Sequence, residues 1–315
     1  MLSFKGFLYA VITSATFGLI PLFTIPLLHG GMNTPSILFY RFSMAAAMMW
    51  AYSFFMRKSL RISIRELITL AWLSLLYIGS AVFLFSSYLY LSSGIATTMM
   101  FLYPVFVALI MMYVFKEKKS LWTMFAIVLA VLGVAMLSWN GSDGGVSFFG
   151  ILLAVLSGLS YGVYIIAVNK SSVRTMSSEK LTFYVFLFTA VFLLAGTLLT
   201  GSFQTVEAWQ DIFNLALLAL VPTIISNLTL VLAIKAIGST FTSVLGAMEP
   251  LTAMAVGVFV FSEPFTLSTA LGVFLIIAAV SVVVLAPALE KGYRTGKFLY
   301  ITKIKRIHPH IIPHH

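Results

Sequence analysis

The stretch Thr240–Phe261, TFTSVLGAMEPLTAMAVGVFVF, decides how this chain is read. About 20 residues at a rise of about 1.5 Å cross about 30 Å of hydrocarbon, so it is long enough to span a bilayer. Near its middle stands Glu249, the one acidic residue that falls at membrane depth. A charge there costs about 2.5–3.5 kcal/mol, so it calls for a partner, a proton or a water-filled cavity. Pro250 follows and has no backbone N–H, which deprives the Gly246 carbonyl of its helical donor. A loosened backbone beside an ionisable group suits a substrate or ion pathway; the bland alternative is a kinked helix with a neutral, hydrogen-bonded Glu.

The rest of the chain agrees with a membrane setting. Of 315 residues, 61% are hydrophobic and 9% charged, with mean hydropathy +1.06, whereas a soluble domain carries about 25% charged residues. No Cys is present, which excludes disulfides, thiolate chemistry and Cys-based metal sites. Ten apolar spans are predicted, at about 6–28, 34–56, 67–91, 94–115, 120–138, 148–169, 181–200, 212–234, 240–261 and 266–287, joined by short loops. Lys5 precedes the first span, which is too long, and followed by too many others, to read as a cleavable signal peptide.

With the N-terminus placed in the cytoplasm, every Lys and Arg outside the spans falls on the inner side, from Arg57, Lys58, Arg61 and Arg65 to Lys170, Arg174, Lys180 and Lys235. The outer loops hold only acids: Asp143, Glu207, Asp211 and Glu263. That is the positive-inside pattern, and it places both termini in the cytoplasm. It also assigns the net charge of +10 to membrane topology and removes nucleic acid as a partner.

The chain repeats. Gly6, Ala10, Ser14 and Gly18 form a ladder of small residues in the first span, and Gly150, Ala154, Gly158 and Gly162 repeat it at an offset of 144. Such ladders let helix backbones approach closely in lipid. Leu38-Phe39-Tyr40-Arg41-Phe42 in the second span answers to Thr182-Phe183-Tyr184-Val185-Phe186 in the seventh. Pro104 precedes Glu117, and Pro250 precedes Glu263, by the same interval. Five spans is an odd number, so the second half enters the membrane from the opposite side. The predicted fold is therefore all-α, integral to the membrane, with ten transmembrane helices as two inverted five-helix repeats: residues 1–140, residues 141–289, and a basic cytoplasmic tail at 290–315 expected to be disordered.

Substrate sites in such folds lie near the midplane between the halves. Arg41 is the one basic residue inside a span, and its repeat mate is Val185; Glu249 is matched by Tyr103. A scaffold role belongs to both halves, whereas a substrate role need not. Arg41 reads either as a structural tie or as a substrate contact, with snorkelling outward or pairing to Glu249 also open. The candidate substrate-binding residues are Phe17, Tyr40, Arg41, Tyr77, Tyr103, Tyr161, Asn227 and Glu249, on helices 1, 2, 3, 4, 6, 8 and 9; the candidate helix breaks and gates are Pro21, Pro104, Pro222, Gly246 and Pro250. Aromatics and hydroxyls there suit an amphipathic or aromatic small molecule, or simply pack.

Enzyme motifs do not carry. Gly158-Leu159-Ser160-Tyr161-Gly162 has the GxSxG pattern but lies inside a helix, where the strand-to-helix elbow it needs is missing. There is no HExxH, no intramembrane Asp pair and no Walker A lysine motif. The His308–His315 tail reads as an extension that binds headgroups or metal weakly, if at all.

With its ten short-looped helices, its duplication, Tyr40-Arg41-Phe42, Glu249-Pro250 followed by Glu263, and the run from Ala233-Ile234-Lys235 through Thr240, Thr242 and Ser243, residues 6–287 resemble the drug/metabolite transporter superfamily, EamA type. The chain departs from it in reading Phe17-Gly18 and Tyr161-Gly162 where that family has Trp pairs, and Tyr103-Pro104 where Glu-Pro is common. The resemblance implies an inner-membrane secondary carrier, with no cofactor, working by alternating access as an exporter of amino acids or related metabolites. Its partners are then a small-molecule substrate, the lipid bilayer and protons, as a monomer or homodimer. The alternatives are a multidrug or hydrophobic-cation exporter and a non-transporting component for lipid handling or assembly.

Overall fold

The computed structural model describes residues 4–116, 121–138 and 147–307, and among these every regular element is helical. The helices are α1 (Phe4–Gly18), α2 (Ile20–His29), α3 (Thr34–Phe55), α4 (Ile64–Ser87), α5 (Ser93–Met100), α6 (Tyr103–Tyr113), α7 (Leu121–Ser138), α8 (Phe148–Lys170), α9 (Ser178–Leu199), α10 (Trp209–Ala219), α11 (Ser226–Leu245), α12 (Met248–Phe261) and α13 (Leu267–Ile307), with a π-helical turn at Leu220–Ile225 between α10 and α11. Joined across their breaks, they make ten membrane-crossing units. Seven stretches are long and apolar enough to cross a bilayer by themselves, and Leu121–Leu137 and Met248–Phe261 are shorter apolar helices. The remaining unit, α3, has 22 residues and carries Arg41.

Local chemistry sets the ends. Asn33 caps α3 by accepting from Ser36 N, with Pro35 in the first turn, where its missing N–H costs nothing. Ser63 and Glu66 form a reciprocal capping box at the start of α4. The Ser147 side chain accepts from Gly150 N at the start of α8.

The packing makes the inverted symmetry visible. α1 packs along α11 and α4 along α8, and these two pairings exchange when the halves are exchanged; α3 packs along α9 and α7 along α13, each a helix with its own repeat mate, and α5, from the fourth crossing, packs against α12, from the ninth. Both small-residue ladders are buried. At the α7–α13 crossing a Cβ on Gly133 would meet Gly272 O at 3.0 Å, and the reverse holds for Gly272. Close approach of this kind replaces the hydrophobic effect as the glue between helices in lipid. Large apolar side chains such as Trp72 and Phe259 face outward.

Two features differ from the sequence expectation. The inner loop expected at 235–239 is helical, within α11. The chain nonetheless turns back there: Gly6 faces Ala236 and Ile237, while Gly18, further along the same helix wall, faces Glu249 O and Thr252. The backbone of 290–307, expected to be disordered, continues α13; residues 308–315 lie outside the described residues, as does Glu117.

Candidate functional site

A cavity lies between the two halves and holds about 930 Å³ of empty space, its open mouth included. The first half supplies Ser14 and Phe17 from α1, Arg41 and Phe42 from α3, Tyr77, Ser80 and Phe85 from α4, Met100 from α5 and Tyr103 from α6. The second half supplies Tyr161 from α8, Leu230, Ile234 and Thr242 from α11, Gly246 from the turn after it, and Glu249 from α12. Of the sequence candidates, Phe17, Arg41, Tyr77, Tyr103, Tyr161, Gly246 and Glu249 meet here.

Glu249 is held at the second helix break. The Gly246 carbonyl is not left free: Glu249 N donates to it at 2.9 Å in a tight turn, which corrects the expectation of an orphaned acceptor. The Glu249 backbone carbonyl abuts Gly18, where a Cβ would come within 2.5 Å. Helix 1 therefore packs directly on the bend. Among the described residues nothing hydrogen-bonds or ion-pairs with the Glu249 carboxylate.

Arg41 is 4% exposed. Its Nε donates to Thr223 Oγ1 at 3.0 Å, and the guanidinium carbon lies 5.1 Å from the Phe42 ring centre and 5.4 Å from that of Phe85. Cation–π contacts of this kind offset part of the desolvation of a buried guanidinium. It neither snorkels outward nor pairs with an acid within 4 Å among the described residues. The cavity thus holds a guanidinium and a carboxyl group, neither paired with an opposite charge among the described residues. Between them runs an aromatic wall: Tyr103 meets Tyr161 edge-on at 5.0 Å, Tyr161 stacks on Tyr164 at 5.9 Å, and Tyr77 packs against Tyr164 at 5.3 Å and Phe42 at 5.5 Å.

Tyr40 and Asn227 lie elsewhere. Tyr40 packs on Phe39 and Phe203 and donates to Gln204 O at 3.2 Å, tying helix 2 to the loop after helix 7. Asn227 donates to Thr223 O and lines a separate crevice with Tyr52 and Glu179. Pro21 and Pro104 each occupy the first turn of the helix after a break, α2 and α6, and Pro222 sits in the π-turn. A third hollow is an apolar groove between α3 and α9, lined by repeat-related pairs such as Phe39 with Phe183 and Ala47 with Val191.

Sequence reasoning missed Thr223, Ser14 and Phe85. Thr223 carried a signal, a hydroxyl directly after a helix-breaking proline. Glu263, read only as an outer-loop acid, accepts from Ser93 N at 2.8 Å and Ser93 Oγ at 3.0 Å, and so caps α5 of the other half. Among the described residues no three His, Asp or Glu side chains gather as metal ligands.

Two inverted five-helix halves around an internal cavity that holds Arg41 and Glu249 define a class, the polytopic α-helical membrane transporters. The chain belongs to the EamA-like transporter family, whose model matches it twice, over residues 4–139 and 148–285. It is 26% identical over 210 residues to "Uncharacterized transporter YvbV" of Bacillus subtilis, covering 66% of this chain and 68% of that one. It is 26% identical over 187 residues to an "Uncharacterized transporter" of Archaeoglobus fulgidus, covering 59% of this chain and 65% of the relative. A solved crystal structure shares the fold at TM-score 0.64 and 19% identity, over 91% of this chain and 97% of that one.

Proposed function

We propose that the protein is a secondary transporter of the plasma (inner) membrane that exports amino acids or related metabolites by alternating access between its two halves, with both termini in the cytoplasm. The observation that carries the reading is the presence of Arg41 and Glu249, both unpaired, in one aromatic-walled cavity between the halves. A molecule bearing an acid and an amine on an aromatic or aliphatic body complements such a cavity, since buried charges are retained where a ligand or proton satisfies them. Glu249 is the coupling carboxylate, exchanging a proton or an amine as the cavity changes access. Pro21, Pro104, Pro222, Gly246 and Pro250 mark the places where helices 1, 4, 8 and 9 flex.

Proteoliposomes loaded with pooled amino acids and aromatic metabolites, with and without a pH gradient, test this. Gradient-dependent release of one amino-acid class is the expected result. Release of hydrophobic cations alone moves the assignment to multidrug export. Release of no solute favours a non-transporting component.

A further inference from the structure

Pro222 lacks the N–H that would bond the Leu218 carbonyl four residues earlier, and the helix widens there into the π-turn Leu220–Ile225. The repair is made by side chains. Thr223 Oγ1 donates to Leu218 O at 2.9 Å, Ser226 Oγ to Pro222 O at 2.7 Å, and Asn227 Nδ2 to Thr223 O. Thr13 Oγ1, from the first half, donates to Ser226 O. The Thr223 hydroxyl therefore has its single proton committed to Leu218, and its lone pairs point away from that bond. Arg41 Nε, which can only donate, takes one of them. Thr223 is fully buried.

A guanidinium fixed through Nε presents its two terminal nitrogens as a fork, the geometry that matches the two oxygens of a carboxylate. Those nitrogens have no hydrogen-bond partner among the described residues, and Arg41 lines the cavity. Thr13 Oγ1 to Ser226 O and Ser157 Oγ to Ser80 O are the same contact in the two halves, so Pro222-Thr223 answers to Leu76-Tyr77 in the unbroken α4, and Arg41 to Val185. The pair therefore exists once in the molecule, which fits a ligand duty better than a scaffold duty.

We propose that Thr223 is a positioning residue that sets substrate specificity: its hydroxyl, placed by the π-turn, aims Arg41 so that the cavity selects molecules carrying a carboxylate. The proposal rests on the cavity being the substrate site. The contact also makes ligand contact at Arg41 felt in helix 8, at the turn where that helix is widest.

The test uses full-length protein in lipid nanodiscs and two probe pairs, L-phenylalanine against L-phenylalaninamide and benzoate against benzamide. Because a hydrogen bond to a charged group is strong, the wild type is expected to favour each carboxylate by about tenfold or more. Thr223→Ser, which keeps the hydroxyl, retains that preference; Thr223→Val brings it within about threefold because the guanidinium fork is no longer held in place, and it lowers the melting temperature because Leu218 O and Arg41 Nε lose their buried partner. Arg41→Lys keeps the charge but has no Nε, so it matches Thr223→Val and serves if the valine variant fails to fold. Equal binding of acid and amide by the wild type, or an undiminished preference in Thr223→Val or Arg41→Lys, overturns the proposal. The transport reading falls separately, if proteoliposomes release nothing; Glu249-dependent release of amines without a carboxylate preference would leave that reading standing and remove this one.

Discussion

Helix 4 breaks at Phe101–Leu102 and resumes as α6 with Tyr103-Pro104; helix 9 breaks at Gly246–Ala247 and resumes as α12 with Glu249-Pro250. The two bends are repeat mates, and each is braced from the other half. Gly18 of helix 1 lies against Glu249 O, and Gly162 of helix 6, 144 residues on, lies against Tyr103 O. The backbone device is thus shared, while the side chain it presents is not. One bend offers a phenol edge-on to Tyr161, the other an unpaired carboxylate. Duplication supplied the frame, and divergence within it supplied the charges.

The comparison breaks most easily at its chemistry. Glu249→Gln is expected to reduce gradient-driven release to background while the protein stays folded, whereas Tyr103→Phe keeps release within about twofold because it removes no charge. Equal losses in the two variants, measured in the same proteoliposome assay, would make the bends equivalent. Arg41→Ala comes next: loss of a charged hydrogen bond to the substrate, about 1.5–3 kcal/mol, weakens binding ten- to a hundredfold in a titration with L-phenylalanine.

The braces give smaller effects, and their order sharpens the comparison. A Cβ at Gly18 would sit 2.5 Å from Glu249 O and 2.6 Å from Thr252 Cβ, so Gly18→Ala must push helix 9 away; about 1–3 kcal/mol of stability is lost, read as a lower melting temperature. At Gly162 the nearest atom, Tyr103 O, would be 3.3 Å away. Gly162→Ala therefore needs only a slight adjustment, which the roughly 1 kcal/mol helix preference of Ala over Gly offsets, and the melting temperature hardly moves.

Much of this was legible in the residues. Ten spans followed from hydropathy and from the placement of Lys and Arg, the inverted repeat from the offset ladders, and both charged poles from their rarity at membrane depth. Tyr40 lies apart from the cavity because its ring packs on Phe39 and Phe203 and its hydroxyl is spent on Gln204 O, contacts that the sequence does not display. Asn227 misled because its amide is taken up by the Thr223 carbonyl one turn back, and a π-turn has no period to read. The turn at 235–239 hid within helical backbone, since Ala236 and Ile237 are compatible with helix and only the packing of Gly6 reveals the reversal. The one signal at Thr223, a hydroxyl directly after Pro222, gains meaning only when the carbonyl it repairs and the cation it holds are both in view.

The central claim is that the cavity between the halves is a watered substrate path. The chain has no native Cys, so single cysteines report without background. Ala81→Cys lies in the cavity wall and Ala47→Cys in the apolar groove between α3 and α9. With a membrane-impermeant maleimide supplied on both faces of the membrane, the account predicts rapid labelling of Ala81→Cys, slowed by the transported solute, and little labelling of Ala47→Cys. An Ala81→Cys that stays unlabelled, or labels at a rate no solute changes, would contradict it.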